Sequence, residues 1–155
     1  MKFSDFKNNV EGWAEKRGIY EYSTAGAQIL KGISENGELA DAVIKGDKEA
    51  LKDAIGDAVV CLVNFAKLQG HDLYLAVVDK PTVTDSQLIV GQITQDLGKL
   101  VFNPDDRGLL DSAIDHLQVI ADQQGLDFLE CCKFAWDEIK DRTGRMVAGG
   151  AFVKD

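Results

Sequence analysis

The chain has 155 residues, 45% of them hydrophobic, which is enough apolar material to bury one core of ordinary domain size without metals or disulfides. Its 17 basic and 26 acidic residues give a formal net charge of −9, which argues against nucleic acid as a partner because phosphate backbones are bound by basic surfaces. Apolar runs too short for a bilayer, a polar N-terminal segment, and three cysteines in apolar surroundings predict a cytoplasmic protein that binds no membrane.

Hydrophobic residues recur at intervals of three and four along most of the chain, and only two prolines interrupt it. This spacing predicts an all-α fold, arranged as a helical bundle. The predicted helices cover approximately 4–17, 24–45, 48–69, 72–78, 85–103, 109–124 and 127–142. A connection is predicted over 80–84, and the tail over 144–155 is predicted to form either a small hairpin or an extended strap. On the second helix the predicted apolar stripe consists of Ile29, Ile33, Ala40 and Ile44.

The two halves of the chain resemble each other, which predicts a degenerate tandem repeat of one helical hairpin. Aligning a shared Gly-x-Leu motif places Lys99 opposite Glu38, and a shorter loop then places Ser112 opposite Asp57. The first half therefore keeps carboxylates that the second half has lost. We predict one domain built as a pseudo-dimer of two hairpins, with a first repeat, a degenerate second repeat and a tail over 1–79, 85–143 and 144–155.

Four carboxylates of the first repeat are expected to face one another. Glu35 and Glu38 lie one turn apart on the second helix, and Asp53 and Asp57 lie one turn apart on the third. The short turn at Gly46 makes these helices an antiparallel hairpin, so Glu38 is expected level with Asp53 or Ala54, and Glu35 level with Asp57. Clustered carboxylates repel unless a cation lies among them, and oxygen ligands suit Mg²⁺, with Mn²⁺ as an alternative. The pattern predicts magnesium-dependent phosphate chemistry.

The alternative interpretation of these acids is an ordinary solvated helix face, the commonest role of charged residues on a helix. Lys31 and Lys45 share the acid side of the second helix, which suits that alternative. The third helix favours the site, because its acid face continues into Val60, Cys61 and Asn64. A polar pocket that deepens into the bundle is where a helical protein places a metal site.

Several segments of the chain resemble the MazG-like, all-α nucleoside triphosphate pyrophosphatases. The segments that carry the resemblance are Gln28-Ile29-Leu30-Lys31, Glu35-Asn36-Gly37-Glu38-Leu39-Ala40, Lys52-Asp53-Ala54-Ile55-Gly56-Asp57 and Glu138-Ile139-Lys140-Asp141-Arg142-Thr143-Gly144-Arg145-Met146-Val147. The resemblance implies an all-α NTP pyrophosphatase fold, in which bound Mg²⁺ assists cleavage of a nucleoside or deoxynucleoside triphosphate between the α and β phosphates. The products implied are a nucleoside monophosphate and pyrophosphate.

The resemblance also implies roles for individual acids. Glu35 and Glu38 fill its E-x-x-E positions, and Asp57 is the last acid of its E-x-x-D motif. Ala54 stands where the family has the glutamate of that second motif, so Asp53 is the candidate substitute. The predicted catalytic residues are Glu35, Glu38 and Asp57, and all four acids are predicted metal ligands. A second departure is Ser34, which replaces an acid common in the family.

Positive and aromatic side chains are candidates for binding the triphosphate. Lysine and arginine would neutralise phosphate charge, although the helix macrodipole alone also favours them at helix C-termini. Trp13 would stack on a base or belong to the core, and Asn64 would hydrogen-bond a base edge. The predicted substrate-binding residues are Gln28, Lys31, Asn64, Trp13, Lys140, Arg142 and Arg145.

The assembly and the activity each leave an alternative open. Single-repeat members of the family pair through their helices, and a fused second hairpin would supply that partner within one chain. A homodimer of the whole chain remains compatible with this arrangement. A helical module of the same fold that binds a nucleotide or a protein with little or no turnover is the alternative function, favoured by Ser34, Ala54 and the degenerate half.

Overall fold

The computed structural model describes residues 1–78 and 85–155. Within these residues the chain forms seven helices and one two-stranded sheet, so the predicted all-α helical bundle is confirmed. In chain order the elements are α1 (Phe3–Lys16), α2 (Ile19–Tyr22), α3 (Ala25–Lys45), α4 (Lys48–Gln69), α5 (Ser86–Phe102), α6 (Arg107–Gln123), α7 (Phe128–Ile139), β1 (Gly144–Met146) and β2 (Phe152–Lys154).

Local signals set the boundaries of the helical hairpin α3/α4. The hydroxyl of Thr24 accepts a hydrogen bond from the backbone N–H of Ala27, and the Asp47 carboxylate accepts one from Ala50, so both helices begin with a side-chain cap. Between them Gly46 adopts a left-handed conformation with φ 67°, which glycine reaches at little cost. The two long helices therefore reverse direction within two residues and pack along their length.

The predicted helix over 72–78 is wrong, because this segment has no regular secondary structure. Tertiary contacts hold it in place of helical hydrogen bonds. The ammonium group of Lys7 lies 2.9 Å from the Asp72 carboxylate, Leu73 is buried, and Nε2 of His71 lies 3.0 Å from the carbonyl oxygen of Pro104. The short helix α2 was absent from the sequence prediction, and α7 ends three residues before the predicted boundary.

The predicted apolar stripe of α3 is also partly wrong. Ile29 is buried, but Ile33 and Ala40 are only partly so and Ile44 is 76% exposed. The helix is rotated because it packs both against α4 and against α5, where the Asn36 amide donates to the hydroxyl of Thr94 over 2.7 Å. The residues that this packing buries are Gln28, Ile29, Gly32, Glu35, Asn36, Leu39 and Ala42. Polar positions of α3 thereby turn toward the interior.

The tail forms the hairpin rather than the extended strap. Strands β1 and β2 pair antiparallel, with Arg145 opposite Val153. The hairpin packs on the start of the chain, since the Phe152 ring meets the Trp13 ring edge-on at 5.5 Å and Gly150 approaches Ser23. It therefore covers the junction of α1, α2 and α3.

The remaining packing joins α4 to α7 and α5 to α6. A Cβ atom at Gly56 on α4 would lie 2.3 Å from the carbonyl oxygen of Cys131 on α7, so the two backbones approach as closely as only glycine allows. The predicted connection over 80–84 lies outside the described residues. The division into two repeats and a tail remains a prediction.

Candidate functional site

The hairpin α3/α4 brings together Glu35, Glu38, Asp53 and Asp57, which we call the acid cluster. Glu35 is 5% exposed, Asp53 and Asp57 are half-buried, and Glu38 lies at the surface. The negative charge of Glu35 acts on both aspartates, and that of Glu38 acts on Asp53. The cluster thus runs from a buried end at Glu35 to an exposed end at Glu38.

Asp57 lies in the electrostatically least favourable position of the acid cluster. Burial and then the negative charges of Glu35 and Asp53 raise its pKa to about 7, while the positive charge of Arg142 opposes the rise. A carboxyl group with this pKa is only partly ionised at neutral pH. Burial and the neighbouring acids therefore make an ionised Asp57 unfavourable unless a cation lies close to it.

Asp53 lies against a fifth acid, Glu138 of α7. Burial, and then the negative charge of the nearby Glu138, raise the pKa of Asp53 to about 6. In addition, Oδ1 of Asp53 is buried and accepts no hydrogen bond from the described residues. An oxygen of this kind is a vacant donor atom for a cation.

Glu138 was not among the candidates proposed from sequence. It lies far from the hairpin in the chain and reaches the acid cluster because α7 packs closely on α4 at Gly56. The available signal was its position at the start of the last segment that carries the family resemblance. Spacing on one hairpin cannot identify a residue delivered by a separate helix.

Two positive side chains of the predicted set face the acid cluster. The Lys31 ammonium lies 3.0 Å from Oε1 of Glu35; burial lowers the pKa of Lys31, but this ion pair outweighs it and the net shift is upward. Arg142 lies near enough to act on Asp57, and its backbone carbonyl accepts a 2.7 Å hydrogen bond from Nε of Arg17. The arginine is thus anchored through α1.

The other two positive side chains of the predicted set have different surroundings. The ammonium of Lys140 pairs with Asp137 at 3.1 Å, and Arg145 lies exposed on strand β1. Neither is among the largest influences on the pKa of Asp53 or of Asp57. Their predicted role in binding the substrate stays a prediction.

The predicted polar residues deeper in the hairpin are buried and already hydrogen-bonded. Oδ1 of Asn64 accepts a hydrogen bond from the Tyr20 hydroxyl at 2.8 Å, and the Gln28 amide donates to the Ser23 hydroxyl at 2.9 Å. Cys61 is buried near Glu35, and burial followed by that charge raises the pKa of its thiol. A substrate reaching Asn64 or Gln28 would have to share or replace these partners.

Trp13 belongs to the core, which was the alternative interpretation of its sequence pattern. Its side chain is 7% exposed, its ring contacts Phe152, and the Arg17 guanidinium lies 5.0 Å from the ring centroid. Stacking of a base on Trp13 would require Arg17 to move.

The side chains of the acid cluster, as the structure describes them, are not arranged to coordinate a metal ion. Among residues 1–78 and 85–155 no group of three or more acidic, histidine or cysteine side chains is placed to hold a metal ion. The chemistry of the donors nonetheless fits Mg²⁺, since the cluster offers carboxylate oxygens and the buried Oδ1 of Asp53 has no partner. The side chains would have to rotate to bring these oxygens to one point.

None of the helices in the described part of the chain combines the length and the apolar character needed to cross a membrane.

Comparisons with known proteins give one partial match. The chain is similar to a protein of Haemophilus phage HP1 (strain HP1c1) described as an uncharacterized 18.2 kDa protein in the rep-hol intergenic region, with 44% identity over 63 residues. The matched part covers 41% of this chain and 38% of that relative, and the description assigns the relative no activity. No family model and no solved structure matches the chain.

Proposed function

We propose that this protein is a Mg²⁺-dependent nucleoside triphosphate pyrophosphohydrolase that converts a ribo- or deoxynucleoside triphosphate to a nucleoside monophosphate and pyrophosphate. The proposal rests chiefly on the acid cluster: four carboxylates on facing turns of one hairpin, two of them with raised pKa values, form a site with surplus negative charge. Surplus negative charge beside a buried, unpartnered carboxylate oxygen favours binding of a divalent cation.

The side chains have distinct roles in this proposal. Glu35, Glu38, Asp53 and Asp57 would hold the ion, and Mg²⁺ when bound would supply positive charge against the phosphate oxygens. Lys31 would exchange its ion pair with Glu35 for a phosphate oxygen. Most of the catalysis expected for this reaction is positioning and charge neutralisation, which a rigid helical hairpin provides.

The finer features of the proposal are its setting and assembly. The enzyme would act in the cytoplasm on a free nucleoside triphosphate, without nucleic acid or membrane. Its assembly as a monomer or as a homodimer is measurable by analytical ultracentrifugation. Lys31 and Arg142, which lie beside the acid cluster, would contact the phosphates, whereas Trp13 lies in the core and Lys140 pairs with Asp137. The roles of Gln28, Asn64 and Arg145 stay predictions from the sequence.

The test is an assay of the full chain with Mg²⁺ and a panel of ribo- and deoxynucleoside triphosphates, with pyrophosphate and orthophosphate measured separately. Pyrophosphate release is expected, and Glu38→Gln should reduce it at least about 100-fold, the loss typical of one electrostatic catalytic group. Asp41→Asn is the matched control on the same helix, because Asp41 is exposed and paired with Lys45 at 2.8 Å. It should leave the rate unchanged.

Two results would contradict the proposal. Orthophosphate in place of pyrophosphate would mean cleavage of the γ phosphate and a different reaction. Absence of any product, together with measurable binding of a nucleotide, would favour the alternative of a helical nucleotide-binding module without turnover.

A further inference from the structure

A second candidate site lies between α1 and α7, in a cavity of about 290 Å³ that we call the α1/α7 cavity. Every charged side chain that lines it is positive, although the whole chain has a formal net charge of −9. The lining residues are Asn8, Asn9, Gly12, Trp13, Lys16, Arg17, Trp136 and Lys140. The cavity is therefore a local exception to the acidity of the molecule.

The positive charge exceeds what helix ends alone require. Lys16, Arg17 and Lys140 lie at the C-terminal ends of α1 and α7, and each helix end carries only about half of one negative charge. Lys140 pairs with Asp137, but Asp137 also pairs with Lys133 at 2.6 Å and so is shared. Lys16 forms no ion pair with the described residues. A net positive charge remains for a ligand.

Aromatic side chains also line the α1/α7 cavity. The chain contains two tryptophans, and both Trp13 and Trp136 line the α1/α7 cavity. The indole nitrogen of Trp13, a side chain 93% buried, has no hydrogen-bond acceptor among the described residues. Buried indole N–H groups normally have an acceptor, so an unsatisfied donor lies within a residue that lines this cavity.

Other lining groups add donors and fix the geometry. The amides of Asn8 and Asn9 both donate and accept hydrogen bonds, as the edge of a nucleobase does. The guanidinium of Arg17 is held in place by Trp13, 5.0 Å away, and by the carbonyl oxygen of Arg142. A preorganised guanidinium suits a phosphate group, because less side-chain entropy is lost on binding.

We propose that the α1/α7 cavity binds a small aromatic phosphate monoester of the nucleoside monophosphate class, without a divalent cation. Lys16, Arg17 and Lys140 contact the phosphate, and Trp136 with the two asparagines contacts the ring. At about 290 Å³ the cavity lies at the small end of ligand sites, which suits a monophosphate rather than a triphosphate with its metal. The inference does not depend on metal chemistry at the acid cluster.

The test uses the tryptophan fluorescence of the full chain, since both tryptophans report on this one cavity. Adenosine monophosphate is titrated in the presence of EDTA, which removes any contribution from a metal-dependent site. A saturable change in fluorescence is expected, and Lys16→Gln should weaken the affinity about tenfold, as loss of one charge-assisted contact does.

The matched control is Lys99→Gln. Like Lys16, Lys99 is an exposed lysine in the last turn of a helix, but it lies on α5 and does not line the α1/α7 cavity. The control should bind adenosine monophosphate as the unmodified chain does. Circular dichroism and the melting temperature establish that both variants are folded.

Each remaining outcome decides against part or all of the proposal. No saturable change in the unmodified chain at millimolar adenosine monophosphate overturns it, and so does equal affinity in Lys16→Gln. An equal affinity for inorganic phosphate overturns the aromatic part, and an equal affinity for adenosine overturns the phosphate part. Pyrophosphate release in Lys16→Gln tests the acid cluster separately, because Lys16 has no role in that reaction.

Discussion

The two helical hairpins of this protein place different chemistry at positions that the predicted repeat aligns. In α3/α4 these positions hold Glu35 and Asp57, and burial followed by the negative charge of Glu35 raises the pKa of Asp57 to about 7. In α5/α6 the aligned positions hold Asp96 and Ser112, and the Ser112 hydroxyl donates to Oδ2 of Asp96 at 2.7 Å. His116, opposite Cys61, adds a second partner with Nδ1 at 3.3 Å from the same oxygen.

The elements that surround the two hairpins also differ. α7 brings Glu138 to the acid cluster, whereas Ser112 and His116 border a cleft of about 880 Å³ between α5 and α6. The Asp96 carboxylate finds its partners within its own hairpin, while the acid cluster has more negative charge than its neighbours neutralise. The carboxylate of the second hairpin is satisfied by its own neighbours, whereas the first hairpin gathers acids that lack such partners. The same helical hairpin can therefore carry either arrangement, and the residues that pack around it decide which.

The largest expected effect comes from placing the residue of the second hairpin in the first. Asp57→Ser should reduce pyrophosphate release at least about 100-fold, because it removes one of the proposed metal ligands. Ser112→Ala is the matched variant in α5/α6. It should change the rate less than about twofold while removing the hydroxyl contacts with Asp96 and His116, each worth about 1 kcal/mol of stability. Equal rates in the two variants would contradict the assignment of activity to α3/α4.

A second comparison concerns the packing of glycines on the two hairpins. Gly56→Ala should lower the free energy of unfolding by about 2–3 kcal/mol, because the new Cβ would lie 2.3 Å from the carbonyl oxygen of Cys131 and force α4 and α7 apart. Gly98→Ala on α5 meets nothing within 4 Å and should stabilise the protein by about 0.5–1 kcal/mol through helix propensity. Urea denaturation measures both. A neutral Gly56→Ala would show that α7 is not held against α4 in this way.

The smallest expected effect is a pH dependence in EDTA. The pKa of Asp57 is about 7 in the folded chain, above its value of about 3.9 in an unfolded chain, so folding favours the protonated form. The associated stability is present below about pH 4 and is lost as the pH rises through about 7. After allowance for solvent screening the loss should be about 1–2 kcal/mol.

The variant Asp57→Asn separates this effect from other titrations. It should be more stable than the unmodified chain at pH 8 in EDTA, with a shallower dependence of melting temperature on pH. Asp41→Asn, an exposed carboxylate on α3, should leave the slope as it is. Added Mg²⁺ should stabilise the unmodified chain at pH 8 more than Asp57→Asn. A slope unaffected by Asp57→Asn would place the titrating groups elsewhere.

The sequence anticipated the elements that depend on neighbouring residues. The caps at Thr24 and Asp47 and the glycine turn at Gly46 follow from local backbone chemistry, and they fix the α3/α4 hairpin almost to the residue. The facing acids follow from helical spacing on that hairpin. By contrast, the prediction of a helix over 72–78 was wrong, because contacts with α1 and with Pro104 outweighed the local preference of this segment for a helix.

Sequence by itself therefore determined an all-α chain with an acidic hairpin, since both properties depend on interactions within about four residues or across one short turn. Only the tertiary structure decided what surrounds that hairpin. The packing of α7 delivers Glu138, and the turn after α7 delivers Arg142, to the acid cluster. With α1, α7 also completes the cationic cavity around Trp13 and Trp136. These neighbours are set by contacts between residues far apart in the chain, such as Arg17 with Arg142 and Gly56 with Ala135. Periodicity along a helix carries no information about such contacts, because they depend on how separate helices pack.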